Sequence, residues 1–171
     1  RRSDREGRVP ACMRCGPTAA GPTPCRLEWR QTCDSDKCIV ALSGGLDSAV
    51  TAFLAVKAMG ARNTMGVRLP YRTSSPESLD HAQLVIDALG IEARTLDISA
   101  AVDGYFTNEP DADKTRRGNV MARVRMISIF DLGARYQALP LGTGNKTERL
   151  LGYLTWHGDD APPLNPLDRP H

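Results

Sequence analysis

From residue 38 onward, short apolar runs alternate with segments whose apolar positions recur at helical spacing. Cys38-Ile39-Val40-Ala41-Leu42 is an unbroken apolar run ended by a glycine turn, the pattern of a buried parallel strand. Apolar residues at 46, 49, 50, 53, 54 and 56 then predict a helix from Leu46 to Met59, stopped by Gly60. Asn63 to Leu69 reads as a second strand. Ser75-Pro76-Glu77 opens a second helix with a capping residue, a proline in the first position and an acid in the first turn. Its apolar positions are 79, 82, 85, 86 and 89, and Gly90 ends it. Ile91 to Ile98 half-alternates as a third strand, and the polar stretch 104–118 reads as loop. A long helix is expected from Asn119 to about Tyr136, then a fourth strand, Ala138–Leu141, and a second glycine turn, Gly142-Thr143-Gly144. Strand and helix alternate throughout, which predicts an α/β fold: a doubly wound parallel sheet with helices on both faces.

Residues 1–37 follow no such pattern. They carry eight basic and five acidic residues, four prolines and four of the five cysteines. The expected reading is a disordered or non-homologous extension. The sharper alternative is a metal site, since Cys12-x-x-Cys15 is a zinc half-knuckle that Cys25, Cys33 or Cys38 could complete. The partner Cys-x-x-Cys or His pair that such a site needs is absent from the sequence.

Composition narrows the function little. The 171 residues are 41% hydrophobic and 25% charged, and the net charge of +2 implies no polyanionic partner. No run of eighteen apolar residues and no secretory signal pattern occurs, so a cytoplasmic protein working without membrane or nucleic acid is expected.

The candidate chemistry lies in the two glycine turns, because an open parallel sheet binds ligands outside the carboxyl ends of its strands. Leu42-Ser43-Gly44-Gly45-Leu46-Asp47-Ser48 places backbone N–H groups and two hydroxyls at a helix N-terminus, which favours phosphate. Asp47 in the first turn would repel that phosphate unless a divalent cation stood between them, which points to magnesium. The loop lacks the Gly-Lys-[Ser/Thr] ending of a Walker A sequence. A plain strand-to-helix turn with a capping serine is the competing reading.

Ser43-Gly44-Gly45-Leu46-Asp47-Ser48 after the first strand resembles the pyrophosphate loop (PP-loop) of the N-type ATP pyrophosphatases. Three more blocks narrow the resemblance to ammonia-dependent NAD synthetases: Val67–Tyr71, Gly118–Met126, and Gly142–Glu148 running on to Gly152-Tyr153. It covers residues 38–166, leaving 1–37 as an extension and 167–171 as a non-homologous tail. The implied fold is Rossmann-like, of the adenine nucleotide alpha hydrolase type. The implied activity is a ligase reaction of NAD biosynthesis. Deamido-NAD is adenylated by ATP and then amidated by ammonia to NAD, releasing pyrophosphate and AMP.

By this resemblance Leu42 to Ser48, Arg68 and Thr143 bind ATP. Asp47 and Glu148 bind magnesium, and Arg123 contacts deamido-NAD. Trp156 stands where the family often has a lysine toward deamido-NAD, and could stack on a ring instead; Pro163 replaces an acidic position. A homodimer is implied. A glutaminase domain does not fit within residues 1–37, so ammonia is the implied nitrogen donor. The family continues beyond Asn165-Pro166-Leu167 into a lysine-bearing ATP segment, another strand and several helices, so the sheet is expected to be incomplete at its C-terminus. Alternatives are another adenylating enzyme, GMP synthetase-like or tRNA-thiolating, or an inactive nucleotide-binding fragment. Local competitors also stand: Arg123 and Arg125 as solvated helix charges, and Glu148 with Lys146 as a surface pair.

Overall fold

The computed structural model describes residues 35–168. The extension reading of 1–37 and the zinc reading of Cys12, Cys15, Cys25 and Cys33 therefore concern residues that lie almost wholly outside the described ones. The elements run β1 (Lys37–Ala41), α1 (Leu46–Met59), β2 (Thr64–Arg68), α2 (Pro76–Leu89), β3 (Glu92–Thr95), α3 (Ser99–Phe106), α4 (Lys114–Tyr136), β4 (Ala138–Leu141) and α5 (Lys146–Leu151), with a 3₁₀ turn at Ala61–Asn63. All pairings are parallel, in the order β3-β2-β1-β4. Backbone bonds from Leu96 to Arg68 and from Ile98 to Pro70, both 2.9 Å, carry the β2–β3 pairing past the strand ends.

The sheet separates two apolar layers. On one face Cys38, Val40 and Leu42 pack with Ala52, Ala55 and Met59 of α1 and Ala82 and Ile86 of α2. On the other, Ile39, Met65 and Val67 meet Val102 and Phe106 of α3 and Ile129 and Leu132 of α4. Alternate residues of one strand thus serve opposite layers, as the two-residue strand period requires. Helices on both faces and strictly parallel pairing make this the doubly wound sheet that the alternation of elements predicts.

Three local expectations change. The stretch expected as loop, 104–118, contains the end of α3 and the first turn of α4. Helix α4 begins five residues before Asn119, where Asp113 caps it by accepting a bond from the Arg116 N–H at 2.7 Å. The third strand shortens to Glu92–Thr95 because it is the outer strand. In α1 the helical period is right, but the large residues Leu46, Val50, Phe53 and Leu54 are exposed, while Ser48, Thr51, Ala52, Ala55 and Met59 face the sheet. Small residues on the inner face let α1 lie close to β1 and β2. Among the described residues no helix is long and apolar enough to cross a membrane.

Candidate functional site

Strand β1 lies between β2 and β4. The chain leaves β1 through α1 on one face and reaches β4 from α4 on the other, so a crevice opens beyond their carboxyl ends. Both glycine turns lie there.

The first turn is folded by its own serines. Ser43 Oγ accepts from the Gly45 N–H at 3.2 Å and lies 3.1 Å from Ser48 Oγ. Ser48 Oγ donates to the Gly45 carbonyl at 2.9 Å and accepts from the Ser43 N–H at 3.3 Å. The buried Ser48 hydroxyl therefore shapes the loop, while Ser43 stays exposed. Gly44 has φ +83°, and a Cβ there would run into the carbonyl of Ser78 in α2, so both its conformation and its surroundings demand glycine. Gly45 is the N-cap of α1 and offers no side-chain acceptor. The first-turn N–H groups, with the positive end of the helix dipole, are thus open to an anion.

The second turn is organised differently. The Gly142 N–H donates to the Leu164 carbonyl at 2.8 Å, and the Asn165 side chain occupies the space a Cβ at Gly142 would need. Thr143 is half-buried at the strand end. Asn145 caps α5 by accepting from the Glu148 N–H at 3.0 Å, and Glu148 Oε2 accepts in return from the Asn145 N–H at 3.0 Å. This reciprocal capping box, not a surface pair with Lys146, is where the Glu148 carboxylate is held. The Asn145 amide also donates to Asp47 Oδ2 at 3.3 Å. The Asn145 side chain, 98 residues from Asp47 in sequence, therefore joins Asp47 to the backbone of Glu148.

The remaining predicted residues surround the crevice unequally. Arg68, at the end of β2, donates through Nη1 to Gln83 Oε1 at 2.6 Å, and its Nε is buried without an acceptor. Gln83 is held in turn by Asp87, to which its amide donates at 2.7 Å. Arg123 and Arg125 lie well inside α4 and not at a helix start. Arg125 donates to the Leu69 carbonyl at 3.1 Å, and burial lowers its pKa from the usual guanidinium value, so it is no solvated charge. Arg123 is exposed and donates to the Trp156 carbonyl at 3.2 Å. The Trp156 ring itself is 70% exposed and meets His157 edge-on. The Thr155 hydroxyl ties this segment to α4 by donating to Asn119 Oδ1 at 3.1 Å, and the Thr155 N–H donates to Asp159 Oδ1 at 2.7 Å.

A cavity of about 660 Å³ borders the second turn, lined by Asn145, Glu148, Tyr153, Trp156, Asp159 and Asn165 among others. It does not reach the first turn. The two regions meet at Asn145. Among the described residues no group of three or more His, Cys, Asp or Glu gathers as a metal cage. The donor set that does exist, two carboxylates linked through one amide beside an open helix N-terminus, fits magnesium. That ion keeps most of its waters and takes one or two protein carboxylates together with substrate phosphates. Asn145, Gln83 and Ser78 were not singled out by sequence as site residues. Only Asn145 carried a local signal, the spacing to Glu148.

The crevice at the switch point and the glycine turn with its open helix N-terminus define an α/β protein with a candidate anion site between β1 and β4. The family model for NAD synthase matches residues 28–169. The chain belongs to the NAD synthase family. It is 52% identical over 129 residues to the NH₃-dependent NAD⁺ synthetase of Chlorobaculum parvum, covering 75% of this chain and 47% of that protein. It is 47% identical over 131 residues to the enzyme of the same name from Fusobacterium nucleatum, covering 77% and 51%. The chain thus spans about half the length of the curated relatives it matches. Among solved structures, the NH₃-dependent NAD synthetase of Campylobacter jejuni in complex with nitrate superposes with TM-score 0.79 at 31% identity, over 85% of this chain and 63% of that one. The NMN synthetase of Francisella tularensis gives TM-score 0.76 at 31% identity, over 85% and 62%.

Proposed function

We propose that this chain forms the ATP-activating part of an ammonia-dependent NAD synthetase. In the reaction the carboxylate of deamido-NAD attacks the α-phosphate of ATP, pyrophosphate leaves, and ammonia displaces AMP from the acyl-adenylate to give NAD. The observation that carries the reading is the uncapped Gly44-Gly45 turn at the sheet's switch point, with Asp47 linked through Asn145 to Glu148. Negative charge builds on the leaving pyrophosphate during adenylation, and oriented N–H donors that need no rearrangement stabilise it. The first-turn N–H groups of α1 receive the pyrophosphate portion. Arg68, held at the end of β2 by Gln83, and the hydroxyl of Thr143 complete the ATP contacts. Asp47 and Glu148 would hold magnesium, which when bound neutralises charge on the phosphates. Arg123, together with the exposed face of Trp156, receives the deamido-NAD side of the reaction.

Relatives about 50% identical are named for NAD⁺, which supports the dinucleotide acid as substrate. On this reading residues 38–166 hold every group invoked. Residues 1–37 and 167–171 contribute none, and the working protein is a cytoplasmic homodimer.

Isothermal titration of the full chain with ATP in magnesium tests the site. Asp47→Ala should abolish the dependence of ATP affinity on magnesium, and unchanged affinity and metal dependence would refute the assignment. AMP and NAD formation from deamido-NAD, ATP and ammonia tests the reaction, with deamido-NMN as the competing substrate. Amidation of the mononucleotide alone would overturn the proposed substrate.

A further inference from the structure

We infer that Asn145 is a positioning residue that sets Asp47 and Glu148 as one divalent-cation site, an inference resting on the magnesium reading above. Its side chain makes two bonds with opposite polarity. Oδ1 accepts the Glu148 N–H at 3.0 Å, which fixes the first turn of α5, and Nδ2 donates to Asp47 Oδ2 at 3.3 Å. The Asn145 N–H adds a third link by donating to Glu148 Oε2 at 3.0 Å. Each carboxylate therefore has one oxygen engaged by the same residue, and the other oxygen of each remains for a cation.

The chemistry requires an amide at this position. Serine or aspartate could cap the helix, since both bring an acceptor to the N–H of the third helical residue. Neither brings a donor that reaches Asp47, and aspartate would set a like charge beside it. Only asparagine both accepts from α5 and donates to the carboxylate at the start of α1. The bond also holds the two elements together at the point where the cavity beside α5 meets the first glycine turn. Groups that orient metal ligands without touching the metal typically contribute about 10- to 100-fold in affinity.

Mn²⁺ binding to the full chain in the presence of ATP, followed by electron paramagnetic resonance, separates the possibilities. Asn145→Ser keeps a capping acceptor and should leave the melting temperature close to the parent value, while Mn²⁺ binds about 10-fold more weakly. Asp47→Asn is the control for the underlying reading. If it leaves Mn²⁺ binding intact, the metal site itself is misplaced. If Asp47→Asn abolishes binding while Asn145→Ser binds Mn²⁺ as tightly as the parent does, the metal site stands and the positioning role of Asn145 is overturned.

Discussion

The two glycine turns follow adjacent parallel strands and precede helices, yet they are built for opposite tasks. After β1, the helix begins at Gly45 with no side-chain cap, and Ser43 Oγ bonds the Gly45 N–H and Ser48 Oγ rather than a first-turn N–H of α1. After β4, the helix begins at Asn145 with a complete capping box. An uncapped N-terminus leaves its donors open to an anion; a capped one has already committed the N–H of its third residue to its own side chain. The same backbone device thus divides into a turn whose helix start is open and a turn whose helix caps itself. A glycine-rich turn after a parallel strand is therefore not by itself a phosphate site, and what decides is whether the following helix caps itself.

The strongest way to break this contrast is at its glycines. Gly44→Ala places a Cβ against the Ser78 carbonyl at φ +83°, whereas Gly144→Ala brings one only to 3.3 Å from Asn165 Nδ2. Left-handed strain and the displaced carbonyl together should make Gly44→Ala destabilising by about 3 kcal/mol, with ATP binding lost. Gly144→Ala should cost less than about 1 kcal/mol. Urea unfolding measures both, and equal costs would remove the distinction.

How far the sequence revealed this arrangement depends on the range of the interactions. Period and punctuation located α1, α2 and β4 closely, because Gly60, Gly90 and the Ser75-Pro76 start are local signals. The period of α1 did not reveal its orientation, since its inner face is small rather than large and apolar. The start of α4 escaped because Lys114 to Gly118 offer no apolar residue, so the period only becomes visible at Val120. Asp113 was the remaining sign. In the site, Asp47 and Glu148 were legible from motif and resemblance, but the bond that joins them through Asn145, the Gln83 hold on Arg68 and the Ser78 carbonyl behind Gly44 are tertiary. Nothing in residue spacing encodes them.

Both turns stand on the β1–β4 pair, where Cys38 is opposite Leu139. Cys38 is fully buried, and burial pushes its thiol up to about 11. The unfolded thiol ionises first as pH rises past about 9, so the unfolded state then binds fewer protons and stability falls until the folded thiol also ionises. Between pH 9 and 11 the chain should lose about 2 kcal/mol more than Cys38→Ala does, and both turns should melt together. Equal pH dependence in the two proteins would show that the thiol does not titrate through folding.

A smaller effect sharpens the capped side. Asn145→Ala removes the acceptor for the Glu148 N–H and should cost about 1 kcal/mol, with little change in binding of metal-free pyrophosphate. Calorimetric unfolding with and without pyrophosphate checks this. Loss of pyrophosphate binding would mean that the second turn also takes part in anion recognition.

The smallest change in stability is expected from giving the first turn the cap it lacks. Gly45 has φ −84° and ψ 162°, an extended conformation open to any L-residue, and an added Cβ would meet only Ser43 Oγ at 3.3 Å. In Gly45→Ser the new hydroxyl can accept from a first-turn N–H of α1, stabilising the helix by a few tenths of a kcal/mol, roughly the difference between glycine and serine caps. That same N–H is one the proposed pyrophosphate site uses. A hydrogen bond to a charged group contributes about 1.5–3 kcal/mol, so ATP affinity should fall by about 10-fold or more. Gly45→Ala supplies the same Cβ without an acceptor, and the difference between the two variants isolates the competition for the donor. Thermal unfolding paired with ATP titration reads both quantities. If Gly45→Ser binds ATP no more weakly than Gly45→Ala, the open N-terminus of α1 is not where the anion sits.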